Sequence, residues 1–402
     1  MKEVKLHPAT IKHLKKGHPW ITSDSYTKKF PNDEFLLGRD EQGKPFCLFF
    51  HDRFHATVKG RLWELVDNFN LKNFNFIKQL THRLELSFQK RTELKVHEER
   101  ENFYLVFGEA DNLPGLFIQH IGKIIVIQYY SLFWEKYLST IVEVCHTHFG
   151  AIDSFSVQNR MVSPKESKPL FYNKAFEKIT PNLSNYFFRE LNYCLKLIDN
   201  SYDLGVFTDM SAIRAQISNN FKADFTYLNL FAYTGAFSLL AHSKGAKAVV
   251  SIDLSSKYLA IYKENLIKNN FNLENDLTLC QDVVSGLNSL IEQGRHFDFI
   301  ICDPPSFSSD GEKSSSALNT YEKIIEKMVK LLNANGYLLL FLNTHHISAQ
   351  KFEAKIAEYF NKFDNFNKNF KIVRKLKLAR DCPTLPHFPE GNYLKGLLLQ
   401  KK

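Results

Sequence analysis

A chain of 402 residues is long enough for about two to three ordinary domains and a large core, which excludes a lone small binding module. With 44% hydrophobic and 24% charged residues, no apolar run of membrane-spanning length and no apolar leader after Met1, it reads as a soluble, cytoplasmic globular protein with no membrane partner. Its 52 Lys and Arg against 43 Asp and Glu leave a net charge of +9, which suits a polyanionic partner, and its six cysteines form no Cys-x-x-Cys pair, which predicts free thiols and no metal site.

No repeat of solenoid length is visible. From residue 1 to about 80, short alternating segments such as Pro45–Phe50, bounded by Gly43, predict a small β-rich module with basic stretches at His13–His18 and Lys28–Lys29. Apolar residues at helical spacing over Phe76–Leu84 lead into a second region, 81–190. That region holds strand-like segments at Tyr104–Phe107 and Lys123–Tyr129, with the turn Asp111-Asn112-Leu113-Pro114-Gly115 between them, and predicts a central α+β domain. The third region, 191–402, alternates strand and helix: Tyr227–Leu230, Gly235–Ser243, Ala248–Ile252, Ser255–Asn269, Phe297–Cys302, Thr320–Leu332 and Tyr337–Leu342. This order predicts an α/β domain with a mostly parallel sheet and helices on both faces. The Ser-rich segment Phe307–Asn319 reads as a loop, and Lys368–Arg380 as a second basic stretch.

The candidate chemistry gathers at strand ends. The first strand of the third region runs into Phe231-Ala232-Tyr233-Thr234-Gly235, with a glycine where a ligand can approach the backbone. Asp253, followed by Leu254, lies about 18 residues after that glycine, the offset at which an acid accepts ribose hydroxyls, while the absence of G-x-G-x-x-G speaks against NAD and for another nucleoside cofactor. Asp282 follows the next strand-like segment, so three successive strand ends match the needs of an adenosyl ligand. The fourth strand ends in Asp303-Pro304-Pro305-Ser306-Phe307, where two prolines stiffen the backbone and aim a carboxylate and an aromatic ring at the crevice, as holding a flat base requires. A plain strand terminator is the alternative reading of the tripeptide, and Gly235, Asp253 and Asp282 at their spacings weigh against it.

Taken together, these motifs resemble the ribosomal RNA large subunit methyltransferase I family, along nearly the whole chain. His18-Pro19-Trp20-Ile21 is similar to the opening of its PUA RNA-binding domain, Gly108–Leu116 to its central-domain signature, and Pro389–Gly396 to its last strand. The resemblance implies a Rossmann-like class I methyltransferase domain, S-adenosyl-L-methionine as cofactor, and RNA, specifically 23S ribosomal RNA, as partner. It carries cofactor contacts onto Phe231, Tyr233, Thr234, Gly235, Asp253, Leu254, Asp282 and Asp303, and the methyl-acceptor end onto Asp303, Pro304, Phe307 and Asn343.

One position departs from the family. Members that make 5-methylcytosine carry a nucleophilic cysteine two residues beyond the Phe of the fifth strand, where this chain has Asn343. Carbon 5 of cytosine needs a thiolate on carbon 6 before it can attack, so the departure favours 7-methylguanine, and Asp303–Ser308 with Asp203–Asp209 looks closer to the related domain that makes it. Cys302 should point away from Asp303, because neighbouring side chains on a strand alternate, and Cys382 is a remote candidate nucleophile. Asn343, His345 and His346 fit a plain polar strand-to-loop exit as well as a substrate contact. Formation of 5-methylcytosine and a non-catalytic RNA-binding assembly factor are the alternatives, and the oligomeric state is left open, a homodimer included.

Overall fold

Alternating residues between 35 and 65 do form strands, but the central strand is buried on both faces instead of one. The structure is a computed structural model and describes residues 1–22, 30, 34–52, 55, 57–66, 73–163, 168–198, 203–305 and 317–402. It divides into two compact units, one of residues 1–186, 198–204 and 380–391, the other of 187–197, 205–379 and 392–402.

In the first unit, β1 (Lys2–Lys5), β2 (Trp20–Ile21), β3 (Phe35–Arg39), β4 (Pro45–His51) and β5 (Gly60–Leu65) form a sheet in the order β1-β3-β4-β5-β2, with α1 (Pro8–Lys15) beside it. Cys47 and Phe49 of β4 pack with Leu6, Ile11 and Leu14 of the small module, whereas Leu48 and Phe50 pack with Leu80, Leu84, Phe133 and Trp134 beyond it. The period-2 alternation therefore sorts residues between two cores. α2 (Phe76–Glu93) and α3 (Val96–Glu99) lead to a six-stranded sheet of β6 (Asn102–Phe107), β7 (Leu116–Ile121), β8 (Ile124–Tyr129), β9 (Ser154–Asn159), β10 (Leu170–Tyr172) and β11 (Lys178–Ile179), in the order β11-β10-β9-β8-β7-β6. β8 and β9 are parallel, joined through α4 (Leu138–Phe149).

Three motifs far apart in the sequence converge inside this unit. The Trp20 indole N–H donates to Glu109 Oε1 at 2.6 Å, Arg61 donates to the same oxygen at 2.7 Å and to Asp52 at 2.7 Å, and His18 Nε2 lies 3.3 Å from Glu390 Oε2. Gly115, at φ 72°, lets the Asp111–Gly115 turn approach the Arg61 guanidinium, 3.1 Å from where a Cβ would stand. Arg61 is thus a buried cation with two buried carboxylate partners.

The second unit begins with the hairpin β12 (Phe187–Glu190) and β13 (Tyr193–Lys196), followed by α5 (Thr208–Ile217). A seven-stranded sheet then unites β14 (Thr226–Leu230), β15 (Ala248–Asp253), β16 (Asp276–Cys280), β17 (Phe297–Cys302), β18 (Leu332–Asn343), β19 (Phe370–Lys377) and β20 (Leu394–Lys401) in the order β16-β15-β14-β17-β18-β20-β19. The connecting helices are α6 (Ala236–Ser243), α7 (Ser256–Lys268), α8 (Val283–Glu292), α9 (Ala317–Leu331), α10 (Ala349–Phe360) and the short α11 (Phe366–Asn369). Five neighbouring strands pair in parallel, as expected; β20, inserted between β18 and β19, pairs antiparallel with both, so it alone runs against the other six. Leu228, Leu230, Ile300, Cys302, Leu338 and Leu340 pack with α8, α9 and α10, while Tyr227, Phe299 and Tyr337 stack in a row within the same strands at alternate positions.

Two expectations change. The fifth strand is twelve residues long, Leu332–Asn343, and α9 starts at Ala317, inside the segment read as loop. The Lys368–Arg380 stretch includes the edge strand β19, with Lys371, Arg374, Lys375 and Lys377 exposed, the charge pattern that blunts an open sheet edge. Ser306, Phe307, Lys28 and Lys29 lie outside the described residues. Among the described residues, no helix is long and apolar enough to cross a membrane.

A buried ion pair ties the hairpin to α5. Arg214 donates to Glu190 Oε1 at 2.5 Å and Oε2 at 2.9 Å, and the Tyr193 hydroxyl donates to Oε1 at 2.6 Å. Burial alone would raise the Glu190 carboxyl, but Arg214 and these donors hold it down at about 2. Glu190→Ala should cost about 3–5 kcal/mol by stranding the guanidinium, read as a lower urea midpoint. The same carboxylate should contribute stability at neutral pH that is lost as pH falls from about 4.5 toward 2, a window in which Glu190→Gln should flatten the decline.

Candidate functional site

β14 ends at Leu230, and the chain then makes a turn in which Phe231, Tyr233 and Gly235 take φ values of 59°, 52° and 81°. Two bulky residues in the left-handed region store strain, and the surroundings hold them there. Ala232 N–H donates to Ile252 O at 3.0 Å, Tyr233 N–H to Asp253 Oδ2 at 2.8 Å, and the Thr234 hydroxyl to Gly205 O at 2.7 Å, while Asn265 donates to Thr234 O at 3.0 Å. Gly235 is required: a Cβ would stand 1.9 Å from Cδ2 of Tyr262 on α7. The following α6 starts with no side-chain cap, so the first-turn N–H groups lie at an uncapped helix N-terminus beside the strained turn.

Asp253 anchors this turn through both of its carboxylate oxygens. Its Oδ1 also accepts from Ser255 N–H at 2.8 Å, so each oxygen spends one lone-pair direction on backbone and keeps another for an incoming hydroxyl. Beside it Leu254 is 72% exposed, an apolar surface next to an acceptor. Asp282 is exposed and is the N-cap of α8, its Oδ1 accepting from Ser285 N–H at 3.0 Å; hydrogen bonds from Ser285 hold its carboxyl below the usual range. The Asp-x-x-Ser start before an apolar helix signals that cap in the sequence.

β17 and β18 are parallel as far as the pair Cys302–Leu340 and carry Asp303 and Asn343 at their ends. Asn343 Nδ2 donates to Asp303 Oδ1 at 3.2 Å. The Asp303 carboxyl is pushed up to about 7 by burial and by the nearby Asp209 carboxylate, against the opposing pull of Arg214 and Asn343. Asp209, in the first turn of α5, is itself raised by burial, and its Oδ2 accepts from the Tyr393 hydroxyl at 2.6 Å. Pro304 is buried and Pro305 exposed. The Tyr321 hydroxyl of α9 sits between the two strand ends, 3.0 Å from Cys302 O and 2.7 Å from Phe341 O, and accepts from Phe341 N–H at 2.9 Å.

Cys302 lies in the core with α9, and burial pushes its thiol up, so no thiolate forms beside Asp303. Cys382 is buried in the first unit. His345 and His346 are exposed, their rings 3.9 Å apart. Phe207 is 59% exposed and 5.2 Å from the Tyr233 ring. The structure thus joins Asp253 to the Phe231–Gly235 turn and Asn343 to Asp303, and gives Asp282 to its own helix. Sequence reasoning does not find Asp209, Tyr321 and Tyr393 as parts of this arrangement, although Asp203–Asp209 and Pro389–Gly396 stand out in the sequence as motifs.

Residues 185–366 match the family model described as S-adenosylmethionine-dependent methyltransferase. The chain is 28% identical over 402 residues to ribosomal RNA large subunit methyltransferase I of Pseudoalteromonas translucida, covering 98% of each chain. It is 26% identical over 411 residues to the protein of the same name from Alteromonas mediterranea, covering 99% of this chain and 98% of the relative. A methyltransferase structure solved in complex with SAH superposes with a TM-score of 0.85 over 100% of both chains at 20% identity, a likeness of fold.

Gly235→Ala should force the turn and Tyr262 apart and destabilise the protein by about 3 kcal/mol or more, measured by urea unfolding. Unchanged stability would mean that the close approach is not required.

Proposed function

We propose that the chain methylates N7 of a guanine in 23S ribosomal RNA, because residues 185–366 match the S-adenosylmethionine-dependent methyltransferase family model and the chain is similar along nearly its whole length to ribosomal RNA large subunit methyltransferase I. The observation that carries the choice of base is the Asp303–Asn343 pair at the ends of adjacent parallel strands, with an amide where the cytosine-C5 members of the family hold their cysteine. S-adenosylmethionine supplies an electrophilic methyl group on its sulfonium.

The residues present fit that cofactor. The strained turn leads straight into an uncapped helix N-terminus, Asp253 retains acceptor capacity for ribose hydroxyls, and Leu254 offers an apolar surface for adenine. Guanine N7 carries an in-plane lone pair, so the protein needs only to align it and exclude water. Asp303, ionised, accepts from the N–H groups of a guanine edge; Asn343 orients that carboxylate, and Pro304 stiffens its backbone. The exposed lysines of α1 and β19 supply phosphate contacts, with residues 1–80 as a PUA-like module.

Asp253→Ala should weaken S-adenosylmethionine binding at least about tenfold by calorimetry, since charge-assisted hydrogen bonds are worth about 1.5–3 kcal/mol. Nucleoside mass spectrometry of ribosomal RNA from a deletion strain should lose one 7-methylguanine, and RNA containing 5-fluorocytosine should form no covalent adduct; an adduct abolished by Cys302→Ala or Cys382→Ala would return the protein to the cytosine branch. Turnover should rise with pH around a midpoint of about 7, where Asp303 ionises, and that inflection should vanish in Asp303→Asn together with most activity.

Leu48, Phe50 and Trp63 of the N-terminal module share a hydrophobic core with α2, α4 and the six-stranded sheet, so the module's part in RNA binding is better read from charge than from truncation. Replacing Lys12, Lys15 and Lys16 by Gln should weaken RNA binding and reduce the salt slope by about 2, leaving cofactor affinity unchanged. An unchanged slope would remove α1 from the RNA contact.

A further inference from the structure

Lys395 is a buried lysine in a sheet strand, 6% exposed, paired across the sheet with Leu342 on one side and Lys377 on the other. Packing there would be served by any apolar side chain. Its ammonium instead donates to three backbone carbonyls, Thr344 O, Asn392 O at 3.0 Å and Tyr393 O at 3.1 Å, which uses all three of its donors. Among the described residues its hydrogen-bond partners are these carbonyls and no carboxylate. A buried cation held only by carbonyl dipoles is expensive in solvation, and burial lowers its pKa accordingly.

The three carbonyls belong to two chain segments with one thing in common. Thr344 follows Asn343 at the exit of β18; Asn392 and Tyr393 lead into β20. Thr344 N–H also donates to Tyr393 O at 2.9 Å, so the segments are stitched at this point. Asn343 reaches the Asp303 carboxylate at 3.2 Å, and the Tyr393 hydroxyl reaches Asp209 at 2.6 Å. One ammonium therefore fixes the backbone that carries both hydrogen-bond donors to the two carboxylates. Tyr321 braces β18 toward β17, and Lys395 braces it toward β20.

We infer that Lys395 is a positioning residue for the methyl-acceptor site, acting through Asn343 and Tyr393 to hold the Asp303 and Asp209 carboxylates in the one arrangement that seats the target base. This rests on the reading of Asp303 as the acceptor-side group. Misplacement by about an ångström is enough to cost catalysis heavily while binding remote from it survives.

The test uses the full-length protein, tritiated S-adenosylmethionine, and large-subunit ribosomal RNA from a strain lacking the enzyme. Lys395→Met removes the donors at similar volume, and Lys395→Gln keeps two of them. Lys395→Met should lower kcat at saturating RNA at least about tenfold while KM for RNA and cofactor affinity stay within about threefold, and Lys395→Gln should recover part of the loss. In a Tyr393→Phe, Asn343→Ala background, the same Lys395→Met change should lower kcat by no more than about threefold, whereas its effect on the thermal midpoint should be equal in both backgrounds. A merely structural lysine would give independent, multiplying effects on kcat. Independent effects, wild-type kcat in Lys395→Met, or loss of cofactor binding in both Lys395 variants would each overturn the assignment. Asp303→Asn serves as the reference: if it keeps wild-type kcat, the reading of the site itself fails, and if it loses turnover while Lys395 shows no coupling, only the positioning role fails.

Discussion

The turn proposed to hold the cofactor depends on one close approach, the Tyr262 ring against the backbone of Gly235. Only hydrogen fits at that Cα, and the contact lets α7 pack onto the β14–α6 turn. Around it the other constraints fall into line: Asn265, about one helical turn beyond Tyr262, donates to Thr234 O, and Asp253 at the end of β15 accepts the Tyr233 N–H. Phe231 and Tyr233 stay in the left-handed region because these bonds hold the peptides on either side, which is how local strain is retained where backbone must face a ligand.

The proposed acceptor site arises from a different constraint, the parting of two parallel strands. β17 and β18 pair to Cys302 and Leu340, and the Tyr321 hydroxyl then occupies the gap and satisfies backbone groups that no ladder partner reaches. Beyond the gap, Asp303 and Asn343 project from separate strands yet meet at hydrogen-bond distance. Burial and like charge from Asp209 make Asp303 a reluctant carboxylate, poised near neutrality, while Arg214 is committed to Glu190 and offsets this only in part.

The first unit relies on buried charge in a similar way. Arg61 bonds Asp52, Glu109 and Tyr130 O at once, and the Glu109 carboxylate also receives the Trp20 indole. Arg91 and Arg100 do the same for Asp111 and for the 380–391 segment, through Asp381 O and the Asp381 carboxylate. A lost partner in such a network strands a charge, so these interactions specify one arrangement of distant segments more than they add net stability.

By itself the sequence determined the alternation of strand and helix from Tyr227 onward, the glycine turn, and acids at successive strand ends, because each of these is a local pattern with a short period. It also carried the departure at Asn343, a matter of residue identity. What only the tertiary structure decided involves pairs far apart in the chain. The Lys395 ammonium, the Tyr321 hydroxyl and the Tyr393–Asp209 bond join positions tens to nearly two hundred residues apart, or a lysine to carbonyls that carry no side-chain signature. The antiparallel insertion of β20 between β18 and β19 creates most of these meetings, and strand order within a sheet is set by the packing of whole elements, to which no local residue pattern responds.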